Sequence, residues 1–155
     1  MKTVFADTSY YVALLGPNDA PHQVAAEWSE RLLGRIVVTE YVIVELGSAL
    51  SGLQDRHLYV PFVDALLGDP ATVYVRSTPA LVRQGLDLFA KRPDKAWSLV
   101  DCISFLVMKQ RRLKEALTTD RHFVQAGFRA LLREGGKPRA MHPRDGSRSP
   151  ALLTA

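Results

Sequence analysis

The chain has 155 residues, of which 47% are hydrophobic and 23% charged, a length and balance that suit one globular domain and exclude a wholly disordered chain. No apolar run reaches the roughly 18 residues of a membrane span, the Met-Lys start leads quickly to Asp7, and a single cysteine, Cys102, can build neither an intramolecular disulfide nor a multi-thiolate zinc site; a cytoplasmic protein is expected. The net charge of +4 sits mostly in residues 133–155, which carry +3, so overall basicity is weak evidence for a nucleic-acid partner.

Lys2–Ala6 is a short β-rich run that stops at Asp7, and a helix is expected from Thr8 through Tyr11, Leu14 and Leu15. Gly16-Pro17-Asn18-Asp19 reads as a turn. Val24, Ala25, Trp28 and Leu32 then recur at helical spacing over residues 20–33, with Gly34 as the closing residue. Residues 35–39 form a second strand. A helix is expected over 40–53, its apolar face carrying Val42, Leu46, Ala49, Leu50 and Leu53, and another over 58–67 with a break near Pro61. Residues 72–76 alternate as a third strand, followed by helices over 79–91 and 98–112. A short strand at 116–118, a helical turn at 123–127 and a last strand at 128–132 complete the pattern.

Strands separated by helices predict an α/β fold: a three-layer α/β/α sandwich around a mostly parallel sheet of about five strands. The folded domain is expected to span 1–133. Residues 134–155, where Gly, Pro, Arg and Ser dominate without periodicity, are read as a basic, flexible tail.

In such a sheet ligands gather beyond the carboxyl ends of the strands. Four acids are placed there: Asp7 after strand 1, Glu45 in the helix after strand 2, Asp101 in the first turn of the 98–112 helix, and Asp120 after the strand at 116–118. Each has a structural account. Asp7 and Asp120 suit helix N-caps, and Ser98-Leu99-Val100-Asp101 matches a capping box. Glu45, in Val42-Ile43-Val44-Glu45-Leu46, resists that account, since a carboxylate in so apolar a helix needs a cation, a hydrogen bond or water nearby. The functional account is convergence on a hard divalent cation, Mg²⁺ or Mn²⁺, because clustered carboxylates without one repel each other. Such a centre activates water and stabilises charge on a phosphoryl group, which points to phosphodiester hydrolysis. The absence of histidine and cysteine from the four argues against zinc.

Asp7-Thr8-Ser9, Thr39-Glu40 through Glu45, Trp97-Ser98-Leu99-Val100-Asp101-Cys102 and Leu117-Thr118-Thr119-Asp120-Arg121-His122-Phe123 together resemble the PIN-domain family, and the format is similar to VapC-type toxin ribonucleases of prokaryotic toxin–antitoxin pairs. The resemblance covers about residues 1–132. It implies a five-stranded parallel sheet with a metal site at its edge that cleaves single-stranded RNA, with Asp7, Glu45, Asp101 and Asp120 as catalytic and metal-site residues. Thr118 then orients a carboxylate or a water. It also implies a small antitoxin partner and a homodimer. The chain departs from the family pattern at His122, where many members carry a further acid; one tightly held ion, with a second recruited by substrate, is the expectation. His122 is left between a phosphate contact and an exposed helix end without a role.

Glu40 is read as a helix N-terminal charge, with support of the metal site the lesser account. Lys109, Arg111, Arg112, Lys114 and Arg121 form a basic cluster that could hold RNA phosphates beside the acids, or simply complement a helix C-terminus. Tyr10, Tyr11, Trp28 and Trp97 are assigned to the core in preference to base stacking; His22, His57 and Ser9 receive no role. The function expected is metal-dependent endoribonuclease. The rivals are a catalytically silent PIN-fold module that binds RNA or protein, and a receiver-like module with a phosphorylated aspartate.

Overall fold

The computed structural model describes residues 2–17 and 20–133. Val4, Phe5 and Ala6 of β1 (Lys2–Ala6) have no exposed surface, and they occupy the middle of a sheet apolar on both faces. β2 (Gly34–Thr39), β3 (Thr72–Val75), β4 (Glu115–Leu117) and β5 (Arg129–Ala130) complete a sheet of order β3-β2-β1-β4-β5 in which every pairing is parallel. The expected five-stranded sheet is present. A receiver-like module, with order 2-1-3-4-5, is excluded by this topology.

Seven helices fill the connections among the described residues: α1 (Thr8–Leu15), α2 (His22–Arg31), α3 (Glu40–Ala49), α4 (Arg56–Gly68), α5 (Pro79–Lys91), α6 (Leu99–Gln110) and α7 (Arg121–Gln125). Local chemistry sets their starts. Thr39 Oγ1 accepts the Val42 N–H at 3.2 Å, Thr78 Oγ1 accepts the Leu81 N–H at 3.1 Å, and Ser98 exchanges bonds with Asp101 in a full capping box. Tyr10, Tyr11, Trp28 and Trp97 are all buried, so the core assignment of the four aromatics stands. None of the helices is long and apolar enough to cross a membrane.

Several element boundaries differ from the sequence reading, each for a local reason. Pro61 does not break its helix: α4 runs unbroken from Arg56 to Gly68, held by Phe62 and Leu66, and the His57 carbonyl that loses its partner belongs to an exposed residue. α3 ends at Ala49 instead of 53, because Ser51 Oγ and Arg56 Nη1 donate to the carbonyls of Ser48 and Ser51; Leu53 is left 92% exposed, not on the apolar face. α2 begins two residues later than expected, after Pro21, and the turn residues Asn18 and Asp19 lie outside the described residues. β5 is shorter than 128–132, although Phe128, Leu131 and Leu132 remain buried around it. The 134–155 tail lies outside the described residues.

Gly34 is a strand residue, not a helix cap, and its missing side chain is required by close approach. A Cβ there would lie 1.9 Å from the backbone oxygen of Lys2 across the β1–β2 pair. We predict that Gly34→Ala destabilises the fold by about 2–3 kcal/mol through forced separation of the two strands. Gly68→Ala, in open space at the last turn of α4, should instead gain up to about 1 kcal/mol from helix propensity. Urea unfolding of the two variants beside wild type checks both signs.

Candidate active site

The carboxyl ends of β1 and β4 lie side by side, tied by the Asp7 N–H donating to the Leu117 carbonyl at 3.1 Å. Beyond them Asp7, Glu45, Asp101 and Asp120 line one open cleft of about 390 Å³, together with Thr8, Ser9 and Thr119. The fold therefore brings all four predicted acids together from four separate segments. Thr118, wholly buried, sits beneath them.

Asp7 is 5% exposed, and its Oδ2 accepts the Ser9 hydroxyl at 2.8 Å and the Thr118 hydroxyl at 2.9 Å. The same Thr118 oxygen accepts the Asp120 N–H at 2.9 Å, so one side chain aligns two of the acids. Burial raises the Asp7 pKa from 3.8 to about 6; the hydroxyl bonds oppose the rise and the charge of Asp101 adds to it. Glu45 is also raised, first by burial and then by Asp101 and Asp120. The nearby Thr8 hydroxyl partly offsets that rise, and its buried Oγ1 lies beyond hydrogen-bond distance of any partner among the described residues.

Asp7, Asp101 and Asp120 all cap helices, as their sequence context suggested, yet each does so with one oxygen. Asp101 Oδ2 accepts the Ser98 N–H at 2.9 Å and Asp120 Oδ1 accepts the His122 N–H at 2.8 Å. The bonds from Ser9 and Thr118 to Asp7, and from Ser98 to Asp101, all run to Oδ2. His122 is not an exposed helix end. Its Nδ1 lies 3.0 Å from Asp101 Oδ2 and 3.4 Å from Asp120 Oδ2, and its side chain is only 19% exposed.

An oxygen-rich donor set, a raised Asp7 and an orphaned, buried Thr8 hydroxyl all fit a hard divalent cation in this cleft. Asp101, Asp120 and His122 offer three ligand atoms within 4.8 Å of one another.

The five cations of the basic cluster stand at different distances from the acids along their elements. Lys109 lies eight residues beyond Asp101 on α6, about 12 Å along the axis, and Arg111 and Arg112 lie farther still. Lys114 precedes β4, about 13 Å of strand before Thr118. Only Arg121, the first residue of α7, directly follows an acid. Helix direction places the other four away from the acids, which spacing along the chain could not convey.

Two contributors were missed. Ser9 Oγ also accepts the Thr119 N–H at 3.0 Å and lies 3.0 Å from Thr118 Oγ1, so it bridges the ends of β1 and β4; the Asp-x-Ser spacing was its only signal. Arg133 Nη1 donates to the Thr119 carbonyl at 2.9 Å on the cleft rim, with no local signal in the sequence. Glu40 is structural: it accepts the Ser77 N–H at 2.6 Å and is held below the usual carboxylate range, chiefly by Ser77. His22, bonded through Nδ1 to the Ala13 carbonyl, joins α2 to α1.

Comparison with known proteins agrees with this geometry. The chain is 26% identical over 125 residues to VapC20, a 23S rRNA-specific endonuclease of Mycobacterium tuberculosis, in strains CDC 1551 / Oshkosh and H37Rv; the alignment covers 81% of this chain and 95% of the relative. The crystal structure of Mycobacterium tuberculosis VapC20, described as a sarcin–ricin-loop-cleaving toxin, matches with a TM-score of 0.73 at 24% identity, over 81% of this chain and 95% of that one. The PIN domain model matches residues 4–129, from the first strand to the last, and the chain belongs to that family.

Proposed function

We propose that this protein is a metal-dependent endoribonuclease that hydrolyses phosphodiester bonds in single-stranded RNA, as the toxin of a prokaryotic toxin–antitoxin pair. The observation that carries the reading is the convergence of Asp7, Glu45, Asp101 and Asp120 in one open cleft at the strand ends. Likeness to a 23S rRNA-specific endonuclease over most of the chain supports RNA as the substrate, and an antitoxin partner follows from the toxin reading. Retention of all four acids disfavours a silent binding module.

The four carboxylates would hold Mg²⁺ or Mn²⁺, which when bound supplies Lewis acidity and offsets charge on the phosphoryl group. The chain's own contribution is orientation. Ser9 and Thr118 fix the Asp7 carboxylate through Oδ2, and Thr118 registers Asp120 beside it. Arg121, next to Asp120, and Arg133, bonded to the Thr119 carbonyl, would provide positive charge for RNA phosphates.

Asp7→Asn should abolish metal-dependent cleavage of labelled RNA, and retained metal-dependent turnover would overturn the assignment. The same variant gives a separate test. With a folded pKa raised to about 6, the stability tied to protonated Asp7 is fully present below 3.8 and lost as pH rises through 6. Asparagine is neutral and can keep the acceptor for Ser9 and Thr118. Metal-free Asp7→Asn should therefore be more stable than wild type at pH 7.5 by about 2–3 kcal/mol, the gap closing below pH 4. Thermal unfolding across pH checks this.

Arg121→Ala should weaken RNA binding several-fold and flatten its salt dependence, whereas Lys109→Ala should change it little, as read by fluorescence anisotropy at varied ionic strength. We also take 1–133 as the catalytic unit: deletion of 134–155 should leave cleavage by the purified protein intact.

A further inference from the structure

We infer that His122 is a direct ligand of the metal centre through Nδ1, making it a mixed nitrogen–oxygen site that favours transition-metal dications such as Mn²⁺ over Mg²⁺. The inference rests on the metal-dependent reading above and deepens it.

The argument begins with spacing. Octahedral donors about 2.1 Å from an ion stand about 3.0 Å apart along an edge, and tetrahedral donors about 3.4 Å. His122 Nδ1 lies 3.0 Å from Asp101 Oδ2 and 3.4 Å from Asp120 Oδ2, and the three residues place one ligand atom each within 4.8 Å of the others. Without metal the same spacing serves a hydrogen bond. An ion would replace the proton between the imidazole and the carboxylates.

The fold holds this arrangement on both sides. Asp101 is fixed through Ser98, while the His122 backbone N–H bonds Asp120 Oδ1, so the residue that caps α7 and the ring that faces it move together. An independent feature of the cleft points to a ligand: Thr8 is 7% exposed, lines the cleft, and has no hydrogen-bond partner for Oγ1. Such a buried hydroxyl suits a water in the ion's outer sphere.

Imidazole is a borderline donor. It adds little for Mg²⁺, which prefers oxygen, and more for first-row transition ions.

The test uses the full chain loaded with one equivalent of Mn²⁺ and examined by pulsed electron paramagnetic resonance. Nitrogen modulation is expected in wild type, altered when histidine is isotopically labelled, and absent in His122→Asp. Competition titrations should show the Mn²⁺-to-Mg²⁺ affinity ratio falling about tenfold or more in that variant. Circular dichroism establishes its folding, and the labelled wild-type spectrum stands without it. Bound Mn²⁺ lacking nitrogen modulation, or modulation that survives in a folded His122→Asp, would overturn the ligand assignment and leave the nuclease reading intact. Failure of wild type to bind Mn²⁺ or Mg²⁺ at all would overturn both.

Discussion

A carboxylate buried at the end of the central strand is the constraint on which the rest of this molecule depends. Asp7 follows three residues with no exposed surface, and its charge is tolerated because two hydroxyls converge on one oxygen. One of those hydroxyls belongs to Thr118, more than a hundred residues away, so the acid is satisfied only when β4 lies beside β1 in the observed register. A slip of one residue would turn Thr118 to the opposite face of the sheet. Folding and site assembly are thus the same event: the pairing that completes the sheet also satisfies and orients Asp7.

The capping and functional accounts of these acids prove compatible. A helix N-terminus engages one carboxylate oxygen, and that bond fixes the direction of the other. Asp7, Asp101 and Asp120 each stand at such a start, so three short segments aim three oxygens without help from long, entropically costly side-chain networks. Glu45 is different in kind. It projects from inside α3, half-buried, and its raised proton affinity comes first from burial and then from the charges of Asp101 and Asp120.

Much of this was legible in the sequence because it is local. Apolar runs ending in an acid, the Ser98–Asp101 spacing and helix-length periodicity are properties of neighbouring residues, and they led to the parallel sheet and to the four acids. What escaped depends on other elements. Leu53 looked like a core residue until side-chain bonds ended α3 four residues earlier, and Pro61 looked like a break until Phe62 and Leu66 held the helix through it. Gly34 looked like a cap because nothing nearby reports the Lys2 carbonyl against it. His122 was left between a phosphate contact and an exposed helix end because its inward turn follows from where Asp101 stands, on a helix from a different part of the chain.

The spread of the basic cluster carries the most mechanistic weight. With four of its cations set back along α6 and before β4, the cleft is lined among the described residues by four carboxylates, with His122 beside Asp101 and Arg133 bonded to the Thr119 carbonyl. Under the proposed function, an RNA phosphate approaching that surface would meet repulsion from the carboxylates unless a divalent ion had first offset it. An ion that favours the phosphate must, by linkage, be held more tightly once the phosphate arrives. On the same reading, this acid cluster would couple metal to substrate: the burial, and to a lesser extent the mutual repulsion, that raise Asp7 and Glu45 would favour a bound cation, and through the cation RNA.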